Sequence, residues 1–318
     1  MATRDAAAWL QEHGIGAAIE RAVATLVLMN PRPAHPISAL GKLLIDGAKI
    51  EPHQTNEVSD NVRELRACVD ATRARVGKIR CTAASGSSSA PPDGSKLVHF
   101  IRHGEGHHNV AQREWRAKDW DGKTEPYTLD NDPELKYVDA ELNDKGRGQA
   151  RDLTSRTEPD LQPQLLVVSP MRRATTTGLL AFAPHIARGT LPVLAHELCH
   201  ERAGRHTCDK RLPRDELVKL YPEVDYSLLQ EEEDPYWGDG VTREPWSTLA
   251  ERAADFAIWL LEERKESHVA VAAHSAFLLA MFNAVLDSED EAMRSWFGTG
   301  EMRTVLLTHE PQSDTHEQ

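Results

Sequence analysis

An α/β domain preceded by a small all-α helix hairpin is the architecture that this 318-residue sequence predicts. Three observations carry the prediction. Short apolar runs at Lys96–Ile101, Leu165–Val168 and Val269–Ala273 each stop at a polar cluster and lead toward a helical pattern, the order of strand–loop–helix units in an α/β sheet. The first 50 residues show helical spacing only, interrupted by a Pro-rich break. Between these regions, SGSSSAPPDGS (85–95) has no hydrophobic pattern and reads as a flexible linker.

Charge separates the same two regions. The chain carries 37 Lys+Arg against 50 Asp+Glu, net −13, of which residues 1–95 contribute +1 (11 basic, 10 acidic) and the remaining 223 therefore −14. So acidic a surface excludes a general nucleic-acid binder, which needs basic groups to release counterions. Four cysteines (Cys68, Cys81, Cys199, Cys208) are too few for a disulfide framework, and the N-terminus has no signal-peptide core, so a cytoplasmic location is expected. Val269–Leu286 is apolar enough to suggest a membrane span, but His274, Ser275 and Asn283 interrupt it. A buried strand, a tight turn and a buried helix account for it better, and no membrane partner is expected.

In chain order, Ile15, Ile19, Val23, Leu26 and Val27 mark a first helix, Asn30–Pro36 a break, and Ile37, Leu40, Leu43 and Leu44 a second short helix. A hairpin of this size has too small a core to stand alone, so self-association into a four-helix bundle is expected. Residues 51–84 continue as a helix. Val58, Val62, Leu65, Val69, Thr72, Val76 and Ile79 form a heptad seam, suited either to a parallel coiled coil or to one helix lying on another surface; the flanking Arg66, Arg73, Arg75 and Arg80 oppose the coil. The α/β domain then spans 96–310, and 311–318 is a polar tail.

The chemistry lies in the α/β domain. Strand 96–101 runs into Arg102-His103-Gly104-Glu105-Gly106-His107-His108-Asn109, and ligand-handling loops of such sheets follow the carboxyl ends of strands. Arg offers a planar fork for phosphate oxygens, His a nucleophile, and Gly a close backbone approach. Strand 165–168 ends at Ser169-Pro170-Met171-Arg172-Arg173, and strand 269–273 at His274-Ser275. Between them, His200-Glu201-Arg202-Ala203-Gly204 offers a carboxylate. Two histidines, two arginines and an acid form a phosphoryl-transfer set that needs no metal or other cofactor if the arginines carry the equatorial charge.

Two other patterns compete. His196-Glu197-Leu198-Cys199-His200 is a literal H-E-x-x-H, the zinc-protease signature, with His206 and Cys208 nearby; it follows a β-like run (190–195) and lacks a third-ligand motif. Glu231–Asp234 reads as a solvated acidic loop. Trp237, Trp246 and Trp259 read as packing residues, the last on a helix from Ser247 to Lys265.

Taken together, RHGEGHHN, LNDKGRGQA (142–150), SPMRRA and the late His274 resemble the histidine phosphatase superfamily over residues 96 to about 309. HERAGRHTCDKR (200–211) resembles its plant and fungal mutase-like branch. The resemblance implies a three-layer α/β/α phosphoglycerate-mutase-like fold, with His103 phosphorylated, Arg102 and Arg173 binding phosphate, His274 as second histidine, Glu201 as proton donor and Asn109 bonding the phosphate. Ser275 stands where the family more often has Gly, its backbone N–H still available, and Arg172 replaces Arg173 if the turn is shifted by one residue. Phosphatase and phosphomutase share these residues; a metal-independent phosphomonoester hydrolase is expected, with a phosphomutase or a catalytically idle anchored scaffold as the alternatives. Over residues 8–46, N-P-x-x-x-x-P-I-x-x-L-x-x-L-L resembles the docking-and-dimerization domain of the type II regulatory subunit of cAMP-dependent protein kinase. That resemblance implies a homodimer gripping an amphipathic anchoring helix of a scaffold, on cytoskeleton or cilium. The expected substrate is a phosphorylated small molecule or a phosphoprotein.

Overall fold

The computed structural model describes residues 52–84, 91–118, 125–157 and 161–311. The expectations for the helix hairpin at 1–50, most of the linker and the end of the tail lie outside the described residues. One compact unit, Asn61–Gln318, holds the sheet.

Seven strands form that sheet: β1 (Lys78–Ala83), β2 (Ser95–Arg102), β3 (Leu165–Val168), β4 (Val193–Ala195), β5 (His268–Ala273), β6 (Leu286–Asp287) and β7 (Met302–Glu310). Their order is β4-β3-β5-β2-β7-β1-β6. Neighbours within β4-β3-β5-β2 are parallel, whereas β7 runs antiparallel to both β2 and β1. The three apolar runs read as strands are β2, β3 and β5, buried along nearly their whole length, as strands covered on both faces must be.

Alternation of side chains splits the core between two faces. Val98, Phe100, Leu165, Val167, Val269 and Val271 pack on one face with residues of the helix Trp246–Ile258 and of the segment Ser275–Val285. Ile101, Leu166, Val168, Ala270 and Ala272 pack on the other with Ala181 from the helix Arg172–Ala181 and Leu217 from the helix Arg214–Leu220. Val269–Leu286 is indeed strand, turn and helix, and no helix among the described residues is long and apolar enough to cross a membrane. The helix expected from Ser247 is α-helical over Trp246–Ile258 and widens into a π turn at Trp259–Glu263. Its expected core face, Leu249, Ala253, Phe256 and Leu260, is at most 1% exposed.

The region before the linker differs from its expectation. It is not one helix but two, Pro52–Ala67 and Val69–Val76, followed by β1. The heptad-seam residues Leu65, Thr72, Val76 and Ile79 are buried, and Thr72 Oγ1 donates to the Ala284 carbonyl. Leu65, Val76 and Ile79 belong to the core of the sheet's own unit, so they serve intramolecular packing and are closed to a coiled-coil partner. The heptad spacing is real, but Ile79 belongs to a strand. The α/β fold therefore begins well before residue 96.

Candidate active site

The four parallel strands point their carboxyl ends the same way, which gathers the loops after β2, β3, β4 and β5 at one edge. His103 follows β2 directly, and its N–H bonds to Ala273 O at the end of β5 (3.0 Å). Its ring is 1% exposed. Nδ1 lies 2.7 Å from Gly104 O, a group that only accepts, so Nδ1 carries the proton and Nε2 keeps its lone pair. Burial, together with the cations of Arg173 and Arg102, holds His103 neutral well below the usual imidazole range. A neutral imidazole with an unprotonated Nε2 is the form that can act as a nucleophile.

Arg173, at the start of the helix Arg172–Ala181, is 1% exposed and donates from Nε to His103 Nε2 (3.3 Å). Its fork is fixed by Cys208 O (2.6 Å) and Asp209 Oδ1 (2.7 Å). Asp209 also meets Arg243 (2.9 Å). Burial alone would raise the Asp209 carboxyl, but Arg243, His206 and Arg173 hold it well below its ordinary value. Arg172 faces away, toward Asp139 and Glu141. The structure thus places Arg173, and not Arg172, at the site.

Arg102 donates Nη1 to Phe297 O (2.6 Å) and its buried Nε has no partner. Among the described residues no carboxylate ion-pairs with it. His274 stands 5.2 Å from His103 between ring centroids, with Nε2 on Ser169 Oγ (2.7 Å) and a buried, unpartnered Nδ1. Burial and the Arg173 cation keep it neutral here, so a protonated His274 requires an incoming anion to offset those cations.

Glu201 is brought beside the turn after β5. Its carboxylate accepts from Arg202 N (2.9 Å), Ala276 N (3.0 Å), Phe277 N (3.2 Å) and Ser275 Oγ (3.1 Å). The Ser275 hydroxyl is therefore directed at Glu201. Asn109 uses Oδ1 to accept Gly106 N (2.9 Å), shaping the loop that carries His103. His107 is exposed, whereas His108 is buried 5.6 Å from the His103 ring.

LNDKG sits against RHGE for a steric reason. A Cβ on Gly104 would lie 2.4 Å from Gly146 O, and one on Gly146 would lie 2.1 Å from Glu105 O. Glu105 accepts from Asn143 (2.8 Å), Lys145 (2.9 Å) and Arg113 (3.0 Å), which overcome burial and hold its carboxyl at about 2. Sequence reasoning missed Ser169 and Asp209 as parts of the site. Ser169 and Asp209 lie within the SPMRRA and HERAGRHTCDKR motifs, but only folding shows that they hold His274 and Arg173.

The competing patterns resolve differently. His196 accepts Leu198 N (3.1 Å) and packs on Trp259, Glu197 pairs with Arg211 (2.9 Å), and His200 meets Asp234 (3.2 Å). Lying across a single 3₁₀ turn, Glu197–Cys199, the stretch has no shared helical face for a metal. The acidic run is not wholly solvated either, since Asp234 is buried and the carbonyls of 231–233 wrap Arg211. His206, Cys208 and Asp209 offer ligand atoms within 4.8 Å of one another, but Asp209 is already held by two guanidinium groups.

Several known proteins are similar to this chain. Two phosphoglycerate mutase-like proteins of Arabidopsis thaliana are 28% and 29% identical over 216 and 218 residues, covering 59% and 60% of this chain and 74% and 72% of theirs. A putative α-ribazole-5′-P phosphatase structure from Escherichia coli is similar over 68% of this chain and 95% of its own, at 18% identity and a TM-score of 0.43. The family model of the histidine phosphatase superfamily (branch 1) matches residues 98–315, and the chain belongs to that family of enzymes.

Proposed function

We propose that the chain hydrolyses phosphomonoesters through a phosphohistidine on His103. The observation that carries this reading is the concentration of unsatisfied groups at one point. Among the described residues, Arg102 Nε, His108 Nδ1 and His274 Nδ1 are buried polar atoms without partners, and no carboxylate ion-pairs with Arg102, around a neutral imidazole. Buried polar groups are rarely left unpaired, and a tetrahedral dianion would satisfy them.

In the proposed reaction His103 Nε2 attacks phosphorus as the P–O ester bond breaks, while Arg102, Arg173 and His274 bear the equatorial charge. Asn109 and Ser275 complete the phosphate contacts, the latter through its backbone N–H. Glu201, which must enter the reaction protonated and so release one of the four donors its carboxylate accepts, gives a proton to the leaving oxygen, then takes one from water as that water cleaves the P–N bond and releases inorganic phosphate. No metal is required by this scheme. The substrate is a phosphorylated small molecule or phosphoprotein, and residues 1–50 form a dimerizing module that grips an anchoring helix. That last reading rests on sequence pattern alone.

Purified full-length chain should release phosphate from an aryl phosphate in the presence of chelator, and His103→Ala should lose that activity. Retention of full activity by His103→Ala would overturn the proposal. A phosphomutase reading is favoured by the names of the plant relatives. It would show as phosphoryl transfer between the two positions of a phosphoglycerate faster than phosphate release. Sedimentation as a monomer would refute the dimer.

A further inference from the structure

The H-E-x-x-H stretch lies outside the proposed reaction, yet it is buried behind the one acid the reaction uses. His200 has both ring nitrogens against acceptors: Nδ1 is 2.8 Å from the Glu201 carbonyl and Nε2 is 3.2 Å from Asp234 Oδ2. A neutral imidazole donates only once, so this environment selects the imidazolium. Arg252, 4% exposed, donates to the same Glu201 carbonyl (3.0 Å) and to the carbonyls of His200 (2.7 Å) and Leu198 (2.9 Å). Glu244 holds Arg252 in turn, at 2.8 Å.

Asp234 is fixed independently, accepting Arg211 N (2.8 Å) and Tyr236 N (2.9 Å). Arg211, fully buried, ties Glu197 to the backbone of the acidic run. Three cations (His200, Arg211, Arg252) thus face three carboxylates (Asp234, Glu197, Glu244) in one network. Such a network is costly to bury unless each member is engaged, and these members are.

We propose that His200 and Arg252 are positioning residues for Glu201, gripping its carbonyl from behind while its carboxylate lies forward on Ser275, Ala276 and Phe277. The inference rests on the proposed role of Glu201 in proton transfer. It assigns the acidic run a task, because Asp234, the counter-charge of His200, belongs to that run. The run is therefore coupled to the proton-transfer step. The charges facing His200 are Asp234, Glu197 and Glu244 against Arg252, with the rings of Tyr236 and His274 also near. Burial by itself would lower the His200 pKa; Asp234 overrides it, and the value is raised. The grip is complete below the ordinary imidazole range and is lost as pH rises through the raised value.

The test uses full-length Asp234→Asn and His200→Gln. The readouts are kcat and KM for an aryl phosphate across the neutral and alkaline range, the inhibition constant of orthovanadate, and melting temperature. In Asp234→Asn, kcat should fall roughly tenfold, the scale of a misplaced acid–base group, with KM and vanadate affinity within about twofold. Its alkaline limb should move to lower pH, and in His200→Gln that limb should vanish. Unchanged kcat in a folded variant, or parallel loss of kcat and vanadate affinity, would overturn the proposal. Imidazole nitrogen NMR of the wild-type chain is independent of variant folding: two protonated nitrogens on His200 near neutral pH are expected, and a neutral ring would overturn it. A wild-type chain with no phosphatase activity would instead refute the proposed function, leaving the NMR result to decide the protonation state on which the grip depends.

Discussion

Replacing Gly146 with alanine inserts one methyl group at the contact between LNDKG and the loop that carries His103. The new Cβ would lie 2.1 Å from Glu105 O and 2.6 Å from Glu105 N, where ordinary contact begins near 3.4 Å. The loop must therefore retreat by about 1.3 Å, two residues from His103. Displacement of a reacting group by about 1 Å costs on the order of 10²-fold in rate, or about 2.7 kcal/mol of transition-state binding. Overpacking also costs about 1–3 kcal/mol of stability, and at about 2–4 °C per kcal/mol for a domain of this size the melting temperature should drop by several degrees. Gly148 lies on the same helix, and a Cβ there would meet nothing within 4 Å. Gly148→Ala should therefore gain up to about 1 kcal/mol from helix propensity and leave activity unchanged. The assay is aryl phosphate turnover beside thermal denaturation of both variants. Turnover within threefold or so of wild type in Gly146→Ala would refute the steric reasoning.

Arg173→Ala should abolish turnover and, by leaving Asp209 with Arg243 as its remaining guanidinium, destabilise by about 1–3 kcal/mol. Arg172→Ala should lower stability while keeping most of the turnover, and equal catalytic losses in the two variants would refute the assignment. Stability should fall as pH drops below about 6.5, because His103, His108 and His274 have depressed pKa values in the fold, as do His99 at about 3 and His268 at about 4. The unfolded chain binds those protons and the folded one does not, so each group contributes a slope of up to about 1.4 kcal/mol per pH unit. A denaturation midpoint flat between neutral and mildly acidic pH would contradict this.

Strands β2, β3 and β5 were legible because both their faces are buried and their polar ends are abrupt. The five groups His103, Arg102, Arg173, His274 and Glu201 were legible because each follows such a strand or lies in a recognisable motif. Ser169 and Asp209 carry no local signal of their roles: they act across 105 and 36 residues of chain, on His274 and Arg173. The heptad spacing of 58–79 left two readings open for a related reason. A period of seven reports which residues are buried, not against what, and here part of the burial is against the chain's own sheet. Glu231–Asp234 looked solvated because sequence shows side-chain charge and hides the carbonyls that enclose Arg211.

The place of β1 in the sheet changes what the linker can be. β1 precedes residues 85–95 and is hydrogen-bonded along Lys78–Ala83 to β7, at the far end of the chain, and to β6. A cut within the linker would therefore not release the amino-terminal part. The two fragments should remain a non-covalent complex, co-eluting until denaturant separates them. A truncation at residue 96 would strip β7 of one neighbour and leave an open edge ready to pair with other chains. The stretch that looks like a tether between modules is, in topological terms, a crossover within one folding unit.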